Sequence, residues 1–96
     1  MITHIFSLKA LFPELHERAV KPIAAIPVFC EGRQVAQTSL NAKGEFPIVF
    51  PAAIETRIAK GRLSFLPIFE ELNRNPDPDK VRLRITGIRV RITLKR

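Results

Sequence analysis

The chain has 96 residues, of which 46% are hydrophobic, and this predicts one domain over residues 1–96 and excludes a wholly disordered chain. No apolar run approaches the roughly 20 residues of a membrane-spanning helix, and a single cysteine excludes an internal disulfide framework. Sixteen basic residues against nine acidic ones give a formal net charge of +7, which is typical of proteins that contact polyanions.

The excess positive charge lies at one end of the chain. Residues 1–79 contain nine basic residues and all nine acidic ones, so this stretch is formally neutral. The last 17 positions contain no acid and seven basic residues: Lys80, Arg82, Arg84, Arg89, Arg91, Lys95 and Arg96. We therefore expect any polyanion-facing surface to lie on the C-terminal element.

The N-terminal residues predict no signal peptide. Residues 2–12 have no basic n-region, and no small-residue cleavage site follows a suitable apolar stretch. Together with the unpaired Cys30, this favours a cytoplasmic protein.

The first 22 residues predict a strand and then a short helix. Residues 2–8 are compatible with a strand, and residues 12–20 predict the helix, because Pro13 suits a first helical position and Pro22 ends the segment. The expected buried face of the helix consists of apolar residues spaced four apart: Leu11, Leu15 and Ala19.

Three strand-like runs follow, at Ile23–Cys30, Arg33–Leu40 and residues 45–50. Turn-forming residues separate them at positions 31–32 and 41–44. In the third run one face is wholly apolar, with Phe46, Ile48 and Phe50.

The second half of the chain begins with an ambiguous segment. Residues 52–60 fit a short helix with Ile54 and Ile58 stacked, and they also fit an alternating strand. Further along, residues 62–69 predict a strand, residues 70–80 a turn-rich loop, and residues 81–95 the clearest strand of the protein.

Prolines inside the strand-like runs indicate the architecture. Pro27, Pro47 and Pro67 cannot donate to a β-ladder, so they are confined to edges, strand starts or bulges. A closed barrel has no edges, whereas two packed open sheets have four. The predicted fold is therefore all-β, an antiparallel open β-sandwich with one short helix near the N-terminus, and the alternative is α+β.

Between residues 28 and 51 a short turn leads into a strand of the form V-x-x-T and then into a turn of the form N-x-x-G-x-F. The residues that carry this pattern are Gly32, Val35, Thr38, Asn41, Gly44 and Phe46. The pattern resembles the opening meander of carboxypeptidase-regulatory and transthyretin-like β-sandwich modules. The resemblance covers about a quarter of the chain. It implies a sandwich that serves as an accessory binding or assembly unit without a catalytic residue.

The alternation of residues 81–95 changes phase at Thr86-Gly87. Apolar residues occupy odd positions as far as Ile85 and even positions from Ile88 onward. A β-bulge would restore one apolar face along a bent strand. A two-residue hairpin would also place both apolar sets on one side.

Different physical terms favour the two geometries. A 15-residue strand spans about 50 Å, against a diameter of about 30 Å for a compact domain of this length, which favours the hairpin. The hairpin would require a positive φ at the β-branched Thr86 and would place Arg84 opposite Arg89, which favours the bulge.

Both geometries project four arginines from one face, Arg82, Arg84, Arg89 and Arg91. The predicted anion-binding or partner-binding residues are these four and Lys95. One hypothesis is a solvated strand face that acids such as Glu45 or Glu55 neutralise. The other is a ladder that binds phosphates or a partner's carboxylates. The chain has no Trp or Tyr, and most of its seven Phe are expected in the core, which favours backbone contacts over base stacking.

Neither a catalytic nor a metal site is predicted. His4 and His16 have no convergent ligands, and Cys30 has no evident base and is expected to be a buried thiol. The run from Asn75 to Asp79 lacks the glycine and the glutamate of a calcium loop. No phosphate-binding, hydrolase or CxxC motif occurs.

The sequence therefore predicts a protein that is not an enzyme and needs no cofactor. The leading hypothesis is an interaction or assembly module that binds a protein partner or a second copy of itself through exposed strand edges. The alternative is a nucleic-acid-binding domain that uses the arginine ladder. No membrane partner is expected.

Overall fold

The structure is a computed structural model that describes residues 1–95. It contains six strands, three short α-helices and one 3-10 turn. In chain order the elements are β1 (Thr3–Ser7), α1 (Leu8–Leu11), α2 (Pro13–Arg18), β2 (Ile23–Cys30), β3 (Arg33–Leu40), β4 (Glu45–Val49), α3 (Ala52–Ala59), β5 (Gly61–Glu71), the 3-10 turn Pro78–Lys80 and β6 (Leu83–Leu94).

The strands form two open sheets. Four strands lie in the order β3-β2-β6-β5, and β1 pairs with β4 in a separate two-stranded sheet. The prediction of a strand-rich protein with open sheets is confirmed. The expectation of purely antiparallel pairing is wrong, because β2 and β6 run parallel where Val28–Cys30 pair with Ile88–Val90. Side-chain periodicity identifies a strand and its faces but not the direction of its neighbour.

The helices also differ from the prediction of one short helix. The expected helix over residues 12–20 is α2, at Pro13–Arg18, and an additional helix, α1, precedes it at Leu8–Leu11. Phe12 has a non-helical backbone and separates the two helices. Ser7 begins α1, since its Oγ accepts a hydrogen bond from the Ala10 N–H at 3.2 Å. Pro13 begins α2 as expected. Residues 52–59 are helical, so the ambiguity over this segment is resolved in favour of the helix α3.

The two sheets contribute side chains to one hydrophobic core. Its largest fully buried side chains include Phe46, Ile48, Ile26 and Val28, which come from β4 and β2. Aromatic rings of the two sheets pack against each other. The ring centroid of Phe65 in β5 lies 4.6 Å from that of Phe6 and 5.9 Å from that of Phe46. The side of the four-stranded sheet that faces the core is called the inner face below.

A β-bulge explains the change of phase in the last strand. Ile68 of β5 pairs with Gly87 and Phe69 pairs with Ile85, so Thr86 is an extra residue on β6. The strand continues through this point without a hairpin. The size argument for a hairpin is wrong because the molecule is elongated, with principal extents of 44 × 27 × 23 Å that accommodate a long bent strand.

The prolines occupy positions that tolerate a missing N–H. Pro47 lies in the two-stranded sheet and Pro67 in the edge strand β5. Pro27 lies in the inner strand β2, but pairing of β2 with β6 begins only at Val28. The edge rule therefore holds for two of the three. The third, Pro27, lies within the β2–β3 ladder opposite Gln37 and precedes only the β2–β6 ladder.

The turn between β3 and β4 depends on its polar residues. Asn41 Oδ1 accepts hydrogen bonds from the N–H groups of Lys43 and Glu45, at 3.0 and 2.9 Å. Gly44 has a φ of +83°, and a Cβ at this position would lie 2.5 Å from His16 Nδ1. Thr38 Oγ1 donates to the Pro47 carbonyl and so ties β3 to β4.

Candidate binding face of the four-stranded sheet

The outer face of the four-stranded sheet carries the basic residues of β6. Arg89 and Arg91 are exposed and alternate with the buried residues Ile88, Val90 and Ile92. We name this surface the arginine face and define it by the outward residues of its strands: Phe29 of β2, Arg62, Ser64, Leu66, Ile68 and Glu70 of β5, and Arg84, Gly87, Arg89 and Arg91 of β6.

The bulge keeps Arg84 on the same face as the other two arginines. Strand β5 pairs continuously from Gly61 to Glu71 without an extra residue, so Leu66 and Glu70 lie on the same side of the sheet. Their partners on β6 are Arg89 and Arg84. Because the extra residue lies between these two arginines, both side chains point outward despite the change of phase in the sequence.

The remaining predicted site residues lie just beyond the two ends of β6. Arg82 precedes β6, and its Nη2 donates to the Ala19 carbonyl at 3.5 Å, next to the end of α2. Lys95 follows β6, where its N–H donates to the Lys60 carbonyl at 3.2 Å and its side chain is exposed. Arg96 lies outside the described residues. The expected ladder of four arginines is therefore three on β6, with Arg82 directed elsewhere.

The expected neutralisation of these arginines by Glu45 or Glu55 is wrong. Glu55 Oε1 lies 2.6 Å from His4 Nε2, and Glu45 Oε1 accepts from Asn41 Nδ2 at 3.1 Å. Over residues 1–95, the ion pairs are His4 with Glu55 and Arg57 with Glu31. Within those residues, the arginines of the face have no carboxylate oxygen within 4.0 Å, although Glu70 stands opposite Arg84 in the ladder.

Phe29 is the residue of this face that the sequence reasoning missed. It pairs with Arg89 in the parallel register, and its ring atom Cε2 lies 3.4 Å from the position of a Cβ on Gly87. Its neighbours Val28 and Cys30 are buried in the core, whereas Phe29 is partly exposed. The signal was present in the alternation of β2, because burial of Val28 and Cys30 requires Phe29 to point outward.

An open concavity of about 820 Å³ lies on this face. Phe29, Leu66 and Ile68 contribute its apolar part, and Arg89 and Arg91 contribute its basic part. Leu66 is 59% exposed, so its side chain presents apolar surface to a ligand here. Glu31 lies at the rim, but its carboxylate pairs with Arg57. The concavity therefore combines an apolar floor with positive charge, and this suits a ligand that has both apolar and anionic groups.

Other chemistry is sparse in the part of the chain that the structure describes. Among residues 1–95, no three His, Cys, Asp or Glu side chains converge as metal ligands, and no helix is long and apolar enough to span a membrane. Cys30 is buried, with 4% of its surface exposed. The remaining feature is His16 Nδ1, which is buried against Gly44 without a hydrogen-bond partner among these residues.

Comparisons with known proteins found no match for this chain among protein-family models, curated proteins or solved structures. The resemblance of residues 28–51 to carboxypeptidase-regulatory and transthyretin-like modules is based on residues at turn and strand positions and stays a prediction.

Proposed function

We propose that this protein is a non-enzymatic interaction module whose arginine face binds an anionic partner. The observation that carries the proposal is the exposure of Arg89 and Arg91 beside an apolar floor, without an ion pair to residues 1–95. Guanidinium groups bind phosphates and carboxylates through charge-assisted, often bidentate hydrogen bonds. In this arrangement the partner supplies the counter-charge that the domain itself does not.

The two facing sheets support the finer interpretation of the fold as a small open β-sandwich. Under this proposal the inner face of the four-stranded sheet stabilises the domain and the outer face is left for recognition. The proposal places the protein in the cytoplasm, in keeping with its unpaired thiol.

Self-association is a second candidate, and the edge strand β5 favours it. This strand has 11 residues, and its outer edge is unpaired in the described sheet. Leu66, Phe69 and Leu72 are exposed in or next to it, by 59%, 49% and 42%. Long edge strands with exposed apolar residues pair with strands of other chains. A second copy could therefore extend the sheet at β5.

Retention on immobilised heparin across a salt gradient tests the first candidate. The double variant Arg89→Gln/Arg91→Gln should elute at clearly lower salt than the original protein, because two contacts to the polyanion are lost. The matched control Lys43→Gln/Arg74→Gln removes the same charge from exposed positions elsewhere and should change elution much less. Equal shifts for both pairs would contradict the proposal, since they would indicate only a response to net charge.

Native mass spectrometry tests self-association. A dimer at micromolar protein that persists at moderate salt would support pairing at β5, because a packed interface responds weakly to ionic strength. The variant Phe69→Lys should then shift the protein to monomer, since a charge on an edge strand opposes pairing. A monomer under all of these conditions would exclude this candidate.

A further inference from the structure

We infer that the occupant of the arginine face is a single-stranded nucleic acid, with its phosphates along β6 and one base stacked on Phe29. The inference rests on the proposed anion-binding function and names the partner of the same surface. It depends on the ladder pairing that places Phe29 next to Arg89 at one concavity, which the sequence did not predict.

The spacing of the arginines suits a flexible polyanion. Arg89 and Arg91 are two positions apart on one strand, so their Cα atoms are about 7 Å apart. Arg62 lies on the same face, since its ladder partner Thr93 is two positions beyond Arg91. These side chains form a basic track along the β5–β6 pair, and a backbone with one charge per nucleotide can follow it.

The apolar floor distinguishes a nucleic acid from a simple polyanion. Phe29 stands directly beside Arg89 in the parallel register, so a phosphate on the arginine brings the adjacent base over the ring. Leu66 and Ile68 extend the apolar surface around it. Aromatic rings beside basic tracks bind bases with little sequence preference, because every base has a π-face.

A single strand fits this surface better than a duplex. The bases of a duplex are stacked inside, so a duplex would leave the exposed Leu66 against phosphates and water. Residues that line the concavity come from strands β2, β5 and β6 and from the turn after β2. They belong to the face of a four-stranded sheet, whereas the elements that enter a major groove are a helix or a two-stranded ribbon. An acidic peptide could pair with the arginines, but its carboxylates do not stack on Phe29.

The absence of tryptophan and tyrosine from the chain provides a direct test. In the variant Phe29→Trp, the introduced indole is the sole tryptophan, and a stacked base should quench its fluorescence. We expect clear quenching on titration with a 12-nucleotide oligothymidylate at low salt and little change with heparin, which has no bases. The control Phe69→Trp places the indole on the other side of β5, because Phe69 pairs with the buried Ile85. It should not be quenched.

Affinity measurements complete the test. Phe29→Leu should weaken oligothymidylate binding by about fivefold or more, since one stacked base contributes at least about 1 kcal/mol. Heparin retention should not change, and Phe29→Tyr should retain binding of the oligonucleotide. Phe29 lies outside the buried core, so these variants should fold, and circular dichroism checks this.

The outcomes separate the inference from the function on which it rests. Heparin binding without quenching of the Phe29→Trp variant, or without an effect of Phe29→Leu on oligonucleotide affinity, overturns the inference alone. Tighter binding of polyglutamate than of oligothymidylate also overturns it, in favour of an acidic protein partner. If heparin, polyglutamate and the oligonucleotide all fail to bind, both the inference and the proposed function are wrong.

Discussion

The two faces of the four-stranded sheet are built from the same strands and differ in almost every physical property. On β6 the inner residues Ile88, Val90 and Ile92 are at most 9% exposed, while Arg89 and Arg91 between them are exposed. The inner face stabilises the fold, and the proposed binding residues lie on the outer face. One alternating segment thus specifies both a core and a surface. Substitutions on the inner face should affect stability with little effect on binding, and substitutions on the outer face should do the reverse.

The bulge at Thr86 allows this separation to continue along the whole of β6. Without an extra residue, a sequence that changes phase would bury arginines in its second half. With it, Ile85 and Ile88 both face the core although they are three positions apart. The position of a single residue therefore determines which side chains form the core.

The largest expected difference in stability is between two single-residue deletions in β6. Deleting Arg89 shifts the following residues by one, which would bury Arg91 and expose Val90, so we expect loss of cooperative unfolding. Deleting Thr86 removes the bulge and leaves regular alternation with the same pairs, so this variant should fold. Thermal unfolding followed by circular dichroism measures both. A folded Arg89 deletion would show that alternation does not determine the register.

Truncations on the two faces should differ in their effect on stability. Ile88→Ala removes a side chain that is 4% exposed and should lower the free energy of unfolding by about 2–5 kcal/mol. Its neighbour Arg89→Ala should change it by about 0.5 kcal/mol or less, since the side chain is exposed and has no ion pair among residues 1–95. Urea denaturation gives both values. Similar losses would mean that Arg89 also stabilises the fold.

Single charge removals should show which arginines of the outer face contact the ligand. For oligothymidylate binding, Arg89→Gln should make the negative slope of log K against log salt shallower by about 0.7, the value for one phosphate contact on a single strand. Arg84→Gln should change it less, because Glu70 stands opposite Arg84 in the ladder. Fluorescence anisotropy at several salt concentrations measures these slopes. Equal slopes for both variants would indicate diffuse attraction without defined contacts.

A small effect on stability is expected at Gly87, where the outer face has no side chain. A Cβ there would lie 3.2 Å from Ile68 Cδ1, the flexible end of a side chain that can move. Gly87→Ala should therefore change stability by about 1 kcal/mol or less. Differential scanning calorimetry of the original protein and the variant measures this change in stability. A larger loss would show that the bulge requires glycine for its backbone.

Much of the fold could be predicted from local patterns. The bounds of β2 and β3 agree with the sequence analysis to the residue, because turn-forming residues flank each alternating run. Alternation likewise places Phe46, Ile48 and Phe50 on one face, and all three are buried. These features depend on neighbours in the chain, and the sequence contains that information.

The rest depends on contacts between distant segments. Nothing in β2 alone indicates that β6 lies beside it or runs parallel to it, and this pairing brings Phe29 next to Arg89. Similarly, the sequence analysis predicts no helix at residues 8–11, where α1 forms, because a four-residue helix depends on packing, here of the buried Leu8, more than on propensity. The arginines of the site could be predicted from the sequence, whereas their aromatic neighbour required the tertiary structure.

The central position of β6 has a consequence for the folding pathway. This strand joins β2 on one side to β5 on the other, yet it is the last strand of the chain described. Its pairing with β2 closes a loop of about 60 residues, between Val28 and Ile88, and such closure is entropically costly and slow. The hairpin of β2 and β3 can form early. The core cannot close until β6 inserts, so an interrupted or truncated β6 should leave a collapsed, aggregation-prone intermediate with two unpaired sheet edges.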